Sequence, residues 1–510
     1  MDRQSQETRK AQHPVLRWHG FPREIQYAIL ELLACGHRRS ARAPSTSEAT
    51  NNSGRLATYA VVCRDWQAFF EAILFRRLMI RQQDLPEFGR LRPCRRGLVH
   101  HLWLRVELPS YDCSMCRQHE TAKIMRKHNP IIRKAFCDLF AILNNWGERT
   151  LLDADSQGRG LTLEISVHSP SDSEHCFKNI SFDHLSDEDD VCVLEDATHG
   201  WVGGRRTFQP GRFTTARIFG NSIYVNPRKR LPAVRVVKHL LIRRQTRRHF
   251  WHTTMRHIMR SLPELDSVRL EIWKRPSRGI QAANDAEFFT TFSKYLPKQV
   301  RSFVLFEDFN QDYDSWRLVS GIHNAELVRT PYQPLARWLA GSRKLQSLSA
   351  SFIVDAKHYL DAVRHRPEDG PWQNLTQVSL TSLLLKWGTS SDETEGLLLA
   401  AASAAHQMPQ LKMLELWYGR RGQACLFRYS VLPCDATEIF CSGTWDLELQ
   451  SGVVEAWRLV SRSDFRVRKA TRIDADLIQS HGDAIHHLGL MLDVLHPESL
   501  RQIRRDARKS

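Results

Sequence analysis

SLPELDSVRL at 261–270 and QMPQLKMLEL at 407–416 share one frame: an apolar residue, two others, an apolar residue, one other, and a third apolar residue. The same frame occurs at Val237/Leu240/Ile242, Leu265/Val268/Leu270 and Val300/Phe303/Leu305, then at Leu345/Leu348/Ala350, Leu375/Val378/Leu380 and Leu411/Leu414/Leu416. The second and third members of each triplet alternate as side chains on one face of a strand do. Between copies the spacing turns helical, as in Phe288, Phe292 and Leu296 or the alanine-rich stretch Glu393–His406. Copies lie roughly 28 to 45 residues apart, within the range of repeat proteins. One strand and one helix cannot bury their apolar faces alone, so such units must stack into a continuous core.

Working outward, Leu102, Leu104, Val106 and Leu108 alternate as a strand, as do Leu161, Leu163, Ile165 and Val167. Between them Asn129–Pro130 is expected to start a helix carrying Ile132, Phe136, Leu139, Phe140 and Leu143. Residues 95–420 therefore read as an α/β array that resembles a leucine-rich-repeat horseshoe, a β-α solenoid of irregular repeat length. The turn-closing asparagine or cysteine of that family is missing. A conventional α/β domain with several parallel strands fits the same alternation. Residues 421–510 read as a C-terminal α/β capping unit: strands at Cys425–Val431 and Thr437–Leu449, an apolar stretch Val453–Val460, and a helical Asp474–Leu495 that Pro497 stops, with a basic tail, RQIRRDARKS, at the end.

At the other end of the chain, residues 1–14 are expected to be disordered, and from Phe21 the sequence reads FPREIQYAILELLA. Pro22 and Glu24 suit a first helical turn. Ile25, Ile29 and Leu33, with Leu30 beside them, form a stripe that Gly36 is expected to end. The polar residues 37–54 are expected to form a flexible loop. Leu56, Tyr59, Cys63, Trp66 and Phe70 then share one face of a second helix, and Leu74, Phe75, Leu78, Met79 and Ile80 add a further apolar patch. FPREI…IL followed by VCRDW and a short aromatic-rich helix resembles the F-box, over residues 15–80. Phe21 stands where that family usually has leucine, and the 37–54 loop is longer than usual. The resemblance implies a small helical domain that binds the Skp-type adaptor of a cullin–RING ubiquitin ligase, with Pro22, Ile25, Ile29, Leu30, Val62 and Trp66 at or behind the contact. An F-box followed by such an array also resembles the large fungal F-box families, which share the look of YDCSMC at 111–116 and HPESLRQI at 496–503.

Composition narrows the classes. The 510 residues are 42% hydrophobic and 25% charged with no apolar run long enough to span a bilayer, and the polar Met1–His13 offers no signal core, so an intracellular protein, cytoplasmic or nuclear, is expected. Eleven cysteines without framework spacing fit a reducing compartment. The net charge of +17 peaks between Arg228 and Arg248, where a solvated polar face around a strand competes with a nucleic-acid site built on Arg243, Arg244 and Arg247. PRKR at 227–230 has the form of a nuclear-import signal, and LSDEDDVCVLED at 185–196 reads as an acidic exposed loop.

Cys113-x-x-Cys116 is half a zinc site; with Cys94 or Cys137 as the nearest further ligands and no second pair at ligand spacing, both read as thiols, and no metal or cofactor is expected. His119–Glu120 lacks the second zincin histidine, Gly203–Gly204 marks only a turn, and no nucleotide loop or nucleophile elbow occurs. The expectation is a noncatalytic substrate receptor of a Skp–cullin–F-box ligase, with adaptor, cullin and an unknown protein target as partners. An F-box scaffold acting outside a ligase and, on charge alone, a nucleic-acid-binding protein are the alternatives.

Overall fold

The computed structural model describes residues 18–40, 55–147, 160–180, 195–220, 222–227, 230–275, 278–309, 332–365, 370–433, 435–461 and 464–508. The acidic 185–194, most of the loop expected at 37–54, residues 1–14, expected to be disordered, and part of PRKR lie outside them. The chain divides into two compact units, one running to Phe75 and a larger one from Arg76.

In the larger unit twelve strands form one sheet whose spatial order is their chain order. They are β1 (Arg77–Arg81), β2 (His101–Glu107), β3 (Leu161–His168), β4 (Val237–Ile242), β5 (Ser267–Trp273) and β6 (Ser302–Asp308), then β7 (Ser347–Asp355), β8 (Gln377–Thr381), β9 (Met413–Arg420), β10 (Gln423–Val431), β11 (Thr437–Gly443) and β12 (Phe465–Lys469). Pairing is parallel except for β9–β10 and β10–β11, which are antiparallel. The protein is thus α/β, with a large, mostly parallel sheet. Among the described residues no helix is long and apolar enough to cross a membrane.

The repeated triplets sit on these strands in register. Leu240 pairs with Val268, Val268 with Phe303, Phe303 with Leu348, Leu348 with Val378 and Val378 with Leu414. The third members follow, Ile242 to Leu270 to Leu305 to Ala350 to Leu380 to Leu416. Upstream the ladder continues as Leu78–Leu102–Leu163–Leu240. All of these but Leu78 are buried. Connecting segments supply α3 (Ala122–Asn144) after β2, the helices α1 (Arg23–Ser40) and α2 (Arg64–Arg76) preceding the sheet, and then α4 (His252–Ser261), α5 (Arg278–Tyr295), α6 (Gln333–Ala340), α7 (Ala356–Arg364), α8 (Ser391–His406) and α9 (Ser451–Val460). From α4 to α9 each helix packs against the next. A parallel strand must be reached by a crossover, and helices of these crossovers lie on the triplet face, where Phe292 of α5 and Trp338 of α6 both meet Phe303.

The opposite face of the sheet is covered differently. The chain returns as α10 (His481–Leu488) and α11 (Pro497–Arg508), with α10 against β9 and β10 and α11 against α10. Gly419 on β9 makes room for this: a Cβ there would lie 2.5 Å from that of Ala484 on α10. Gly419→Val is expected to cost about 1–3 kcal/mol by overpacking. A urea midpoint unchanged from wild type would show that the contact does not form.

Several local expectations are corrected. Pro497 starts α11 rather than stopping a helix, which suits a residue whose missing N–H is not needed in the first turn. The basic tail is that helix, with Ser499, Gln502, Ile503 and Asp506 buried along one side. Only 481–488 of the stretch read as helix at 474–495 is α-helical. α3 begins at its Thr121 cap and contains Pro130 rather than starting there. Leu78–Ile80, read with the N-terminal helices, belong to β1, and β11 ends at Gly443, short of Leu449.

Candidate docking surface

In the first unit α1 (Arg23–Ser40) runs through Gly36 and ends at Ser40, four residues past the expected stop. Its entry is pinned by the Gln26 side-chain amide, which donates to the Trp18 carbonyl at 3.0 Å and the Phe21 carbonyl at 2.9 Å. Residues 55–59 are helical, and α2 (Arg64–Arg76) follows. The packing is aromatic. Trp66 has Trp18 at 5.2 Å, Tyr59 at 5.9 Å and Phe70 at 5.8 Å between ring centroids, and Tyr27 of α1 meets Phe69 of α2 at 6.3 Å. Phe70 is fully buried.

The six residues singled out in the sequence divide between inside and outside. Leu30 is buried and Trp66 is half-buried in the aromatic cluster; they hold the unit together. Ile29 is half-buried, while Pro22, Ile25 and Val62 are exposed. The periodicity pointed to Leu33 as the stripe's next member, but Leu32 is the exposed one, at 72%, so Ile25, Ile29 and Leu32 follow one another along one side of α1. Tyr27 and Val61 are exposed too, Val61 at 82%. Helical spacing marks apolar positions but does not tell which of two adjacent ones faces water, so sequence reasoning missed these three. Large apolar side chains left exposed together on a small module make this side of α1 the candidate docking surface.

Arg243, Arg244 and Arg247, the residues a nucleic-acid site would need, are buried at 1%, 1% and 4%. They are neither a solvated face nor a phosphate clamp. The Arg243 guanidinium pairs with Glu164 at 2.5 Å. Arg244 pairs with Asp308 and with Asp506 of α11, the latter at 3.0 Å, and lies over the Trp273 ring at 4.7 Å. Arg247 donates to the Gln245 carbonyl at 3.2 Å. Arg248 reaches Glu120 at 2.7 Å. The carboxylates alternate with apolar residues along the strands, so Glu164, Glu271, Asp308 and Glu415 all lie on the face opposite the triplets. The returning C-terminal segment meets them: the His496 N–H donates to Glu271 at 2.6 Å, the Met491 N–H to Glu415 at 2.8 Å, and His481 pairs with Asp308 at 3.0 Å.

These contacts set the acidities. Burial alone would raise Glu164 and Asp308; the His101 hydrogen bond and Arg243 outweigh it at the first, Arg244 and His481 at the second, and both carboxyls are held below the usual range. At Glu271 and Glu415 burial wins and the carboxyls are raised. Perturbed groups cluster at active sites and equally in structural ion-pair networks. Here every one is engaged by the protein's own side chains or backbone, which fits a structural network.

Residues 295–496, less than half the chain, match the model of a family of unknown function, DUF6546. The match runs from the end of α5 to the segment that precedes α11. No curated protein matches the chain.

Proposed function

We propose that this chain is the substrate-recognition subunit of a Skp–cullin–F-box ubiquitin ligase, with an F-box in its N-terminal helical unit and an irregular leucine-rich-repeat-like array behind it. The observation that carries the reading is the apolar row of exposed Ile25 and Leu32 with half-buried Ile29 between them, beside exposed Pro22, Val61 and Val62, on a unit whose FPREI and VCRDW segments resemble the F-box. Twelve strands in chain order with the triplets in register support the array. The chain itself performs no chemistry in this reading. It tethers a target beside the charged conjugating enzyme, which makes a bimolecular transfer nearly intramolecular. On a repeat array the face opposite the helices would be the natural target surface; here much of it is occupied by α10 and α11, so the target is expected on the loops at the strand ends or the helix row.

The test is capture of a purified Skp-type adaptor by the full chain. Ile25→Asp and Val62→Asp change exposed positions and should leave the far-UV circular dichroism unchanged while lowering adaptor affinity at least about tenfold, as truncating an interface anchor does. Trp66→Ala is a poor probe, because it opens the aromatic cluster. Wild-type protein that captures no adaptor, or both aspartate variants capturing it like wild type, would refute the reading. Adaptor recovered from cells without cullin would point instead to an F-box scaffold outside a ligase.

A further inference from the structure

Beyond the N-terminal unit, the larger unit brings together four side chains that no sequence motif joins. Cys113 and Cys116 lie on one helical turn after β2, His175 follows the turn after β3, and His199 ends a short helical turn in the stretch that leads to β4. One ligand atom from each lies within 4.8 Å of all the others. His199 Nε2 is 3.2 Å from Cys113 Sγ and 3.5 Å from Cys116 Sγ. Tetrahedral zinc with its usual sulfur and nitrogen bond lengths would hold such atoms roughly 3.5 Å apart.

From this geometry we infer that Cys113, Cys116, His175 and His199 form a structural zinc site of the Cys2His2 type. The surroundings agree on three independent points. His199 Nδ1 lies 2.8 Å from Asp196 Oδ2, so the carboxylate fixes the tautomer that turns Nε2 toward the two sulfurs. Asp196 is itself held by Lys178 at 3.0 Å. His175 Nε2 is buried with no hydrogen-bond partner among the described residues, an orphan that a metal bond would satisfy. The Asp112 side chain caps the Cys113–Cys116 turn by accepting from the Ser114 N–H at 2.9 Å, which sets the first two ligands. Four protein ligands leave no open position for a substrate, so the role is structural.

The site would pin the β2 and β3 exits to the segment at 195–206, whose hairpin turns at Gly203–Gly204, both at positive φ. Sequence reasoning looked for the missing ligands at Cys94 and Cys137. The fold brings in two distant histidines instead, each indistinguishable in sequence from the other 21 of the chain's 23.

The inference does not rest on the docking reading and is tested separately. Full-length protein purified without chelator should carry about one zinc per chain by elemental analysis. Exchange into cobalt(II) should give thiolate-to-cobalt charge transfer and the visible bands of a tetrahedral site. Cys116→Ser should lose both, while Cys94→Ser and Cys137→Ser should keep both. Should Cys116→Ser fail to fold, Asp196→Asn, which keeps all four ligands, reads the same site: zinc affinity by chelator competition should fall about 10- to 100-fold. Zinc-free wild-type protein whose reduced thiols give no cobalt charge transfer would overturn the site, and so would unchanged metal binding in both Cys116→Ser and Asp196→Asn.

Discussion

Replacing Arg244 with methionine will lower the unfolding free energy of the larger unit by about 3–5 kcal/mol, the usual cost of removing one partner from a buried ion pair. The guanidinium is 1% exposed and serves Asp308 of β6 and Asp506 of α11 together. Methionine fills much of the same volume over Trp273 but takes the guanidinium away from both buried carboxylates, of which Asp308 keeps His481 at 3.0 Å. The penalty should therefore shrink in Arg244→Met/Asp506→Asn, because the second change removes one of the two buried carboxylates that lost the guanidinium. The measurement is the urea midpoint of the larger unit's transition. A single-variant loss below about 1 kcal/mol, the range of exposed pairs, would mean that the network does not form.

Mild acid will act almost as strongly. Burial, reinforced by Arg105, Arg248 and Arg247, pushes His168 down to about 2. Burial with Arg243 foremost among the neighbouring charges brings His496 down to about 3. The unfolded chain takes up these protons near pH 6.5, whereas the folded one refuses them. Their stabilisation is therefore complete above pH 6.5 and is lost as pH falls from there toward the folded values, at about 1.4 kcal/mol per unit for each histidine. Between pH 7 and pH 5 the pair should cost about 4 kcal/mol. His249, also depressed by burial and by Arg275, acts in the same sense, while the raised carboxyls of Glu271 and Glu415 offset part of the loss. Urea midpoints at the two pH values check this, and His168→Gln should flatten the dependence. Equal wild-type midpoints at pH 7 and pH 5 would refute it.

The strands were legible because an apolar-x-x-apolar-x-apolar frame is a local signal, and the second and third members of each of its six copies between 237 and 416 fall on a strand and pair with those of the next. The helices of the N-terminal unit were legible for the same reason. What stayed hidden depends on distance along the chain. Glu164, Glu271, Asp308 and Glu415 alternate with apolar residues as solvent-facing positions do, and only the returning segment makes them interior; Arg244 and Asp506 are separated by 262 positions. The basic run misled because charge in a sequence says nothing about which cations already have partners. His175 and His199 carry no spacing relative to Cys113 and Cys116, so half of the zinc set was readable and half was not. Gly36 and Pro497 were read as punctuation, although a helix tolerates the one and begins with the other.

The covering of the polar face by α10 and α11 bears on how the molecule is made. The C-terminal groups that bond the buried carboxylates of β5, β6 and β9, the backbone N–H groups of His496 and Met491 and the His481 side chain, are translated after all twelve strands. A nascent chain can stack its strands and crossover helices as they emerge, with Asp308 already facing Arg244 and Glu415 facing Arg428, but Glu271 lacks the Ser499 hydroxyl and Arg244 its second carboxylate, Asp506, until the last helix leaves the ribosome. Final locking of the sheet is thus a late event in biosynthesis, and a chain that stopped short of α11 would present to the quality-control machinery a polar face stripped of its Ser499 and Asp506 contacts in place of a finished core.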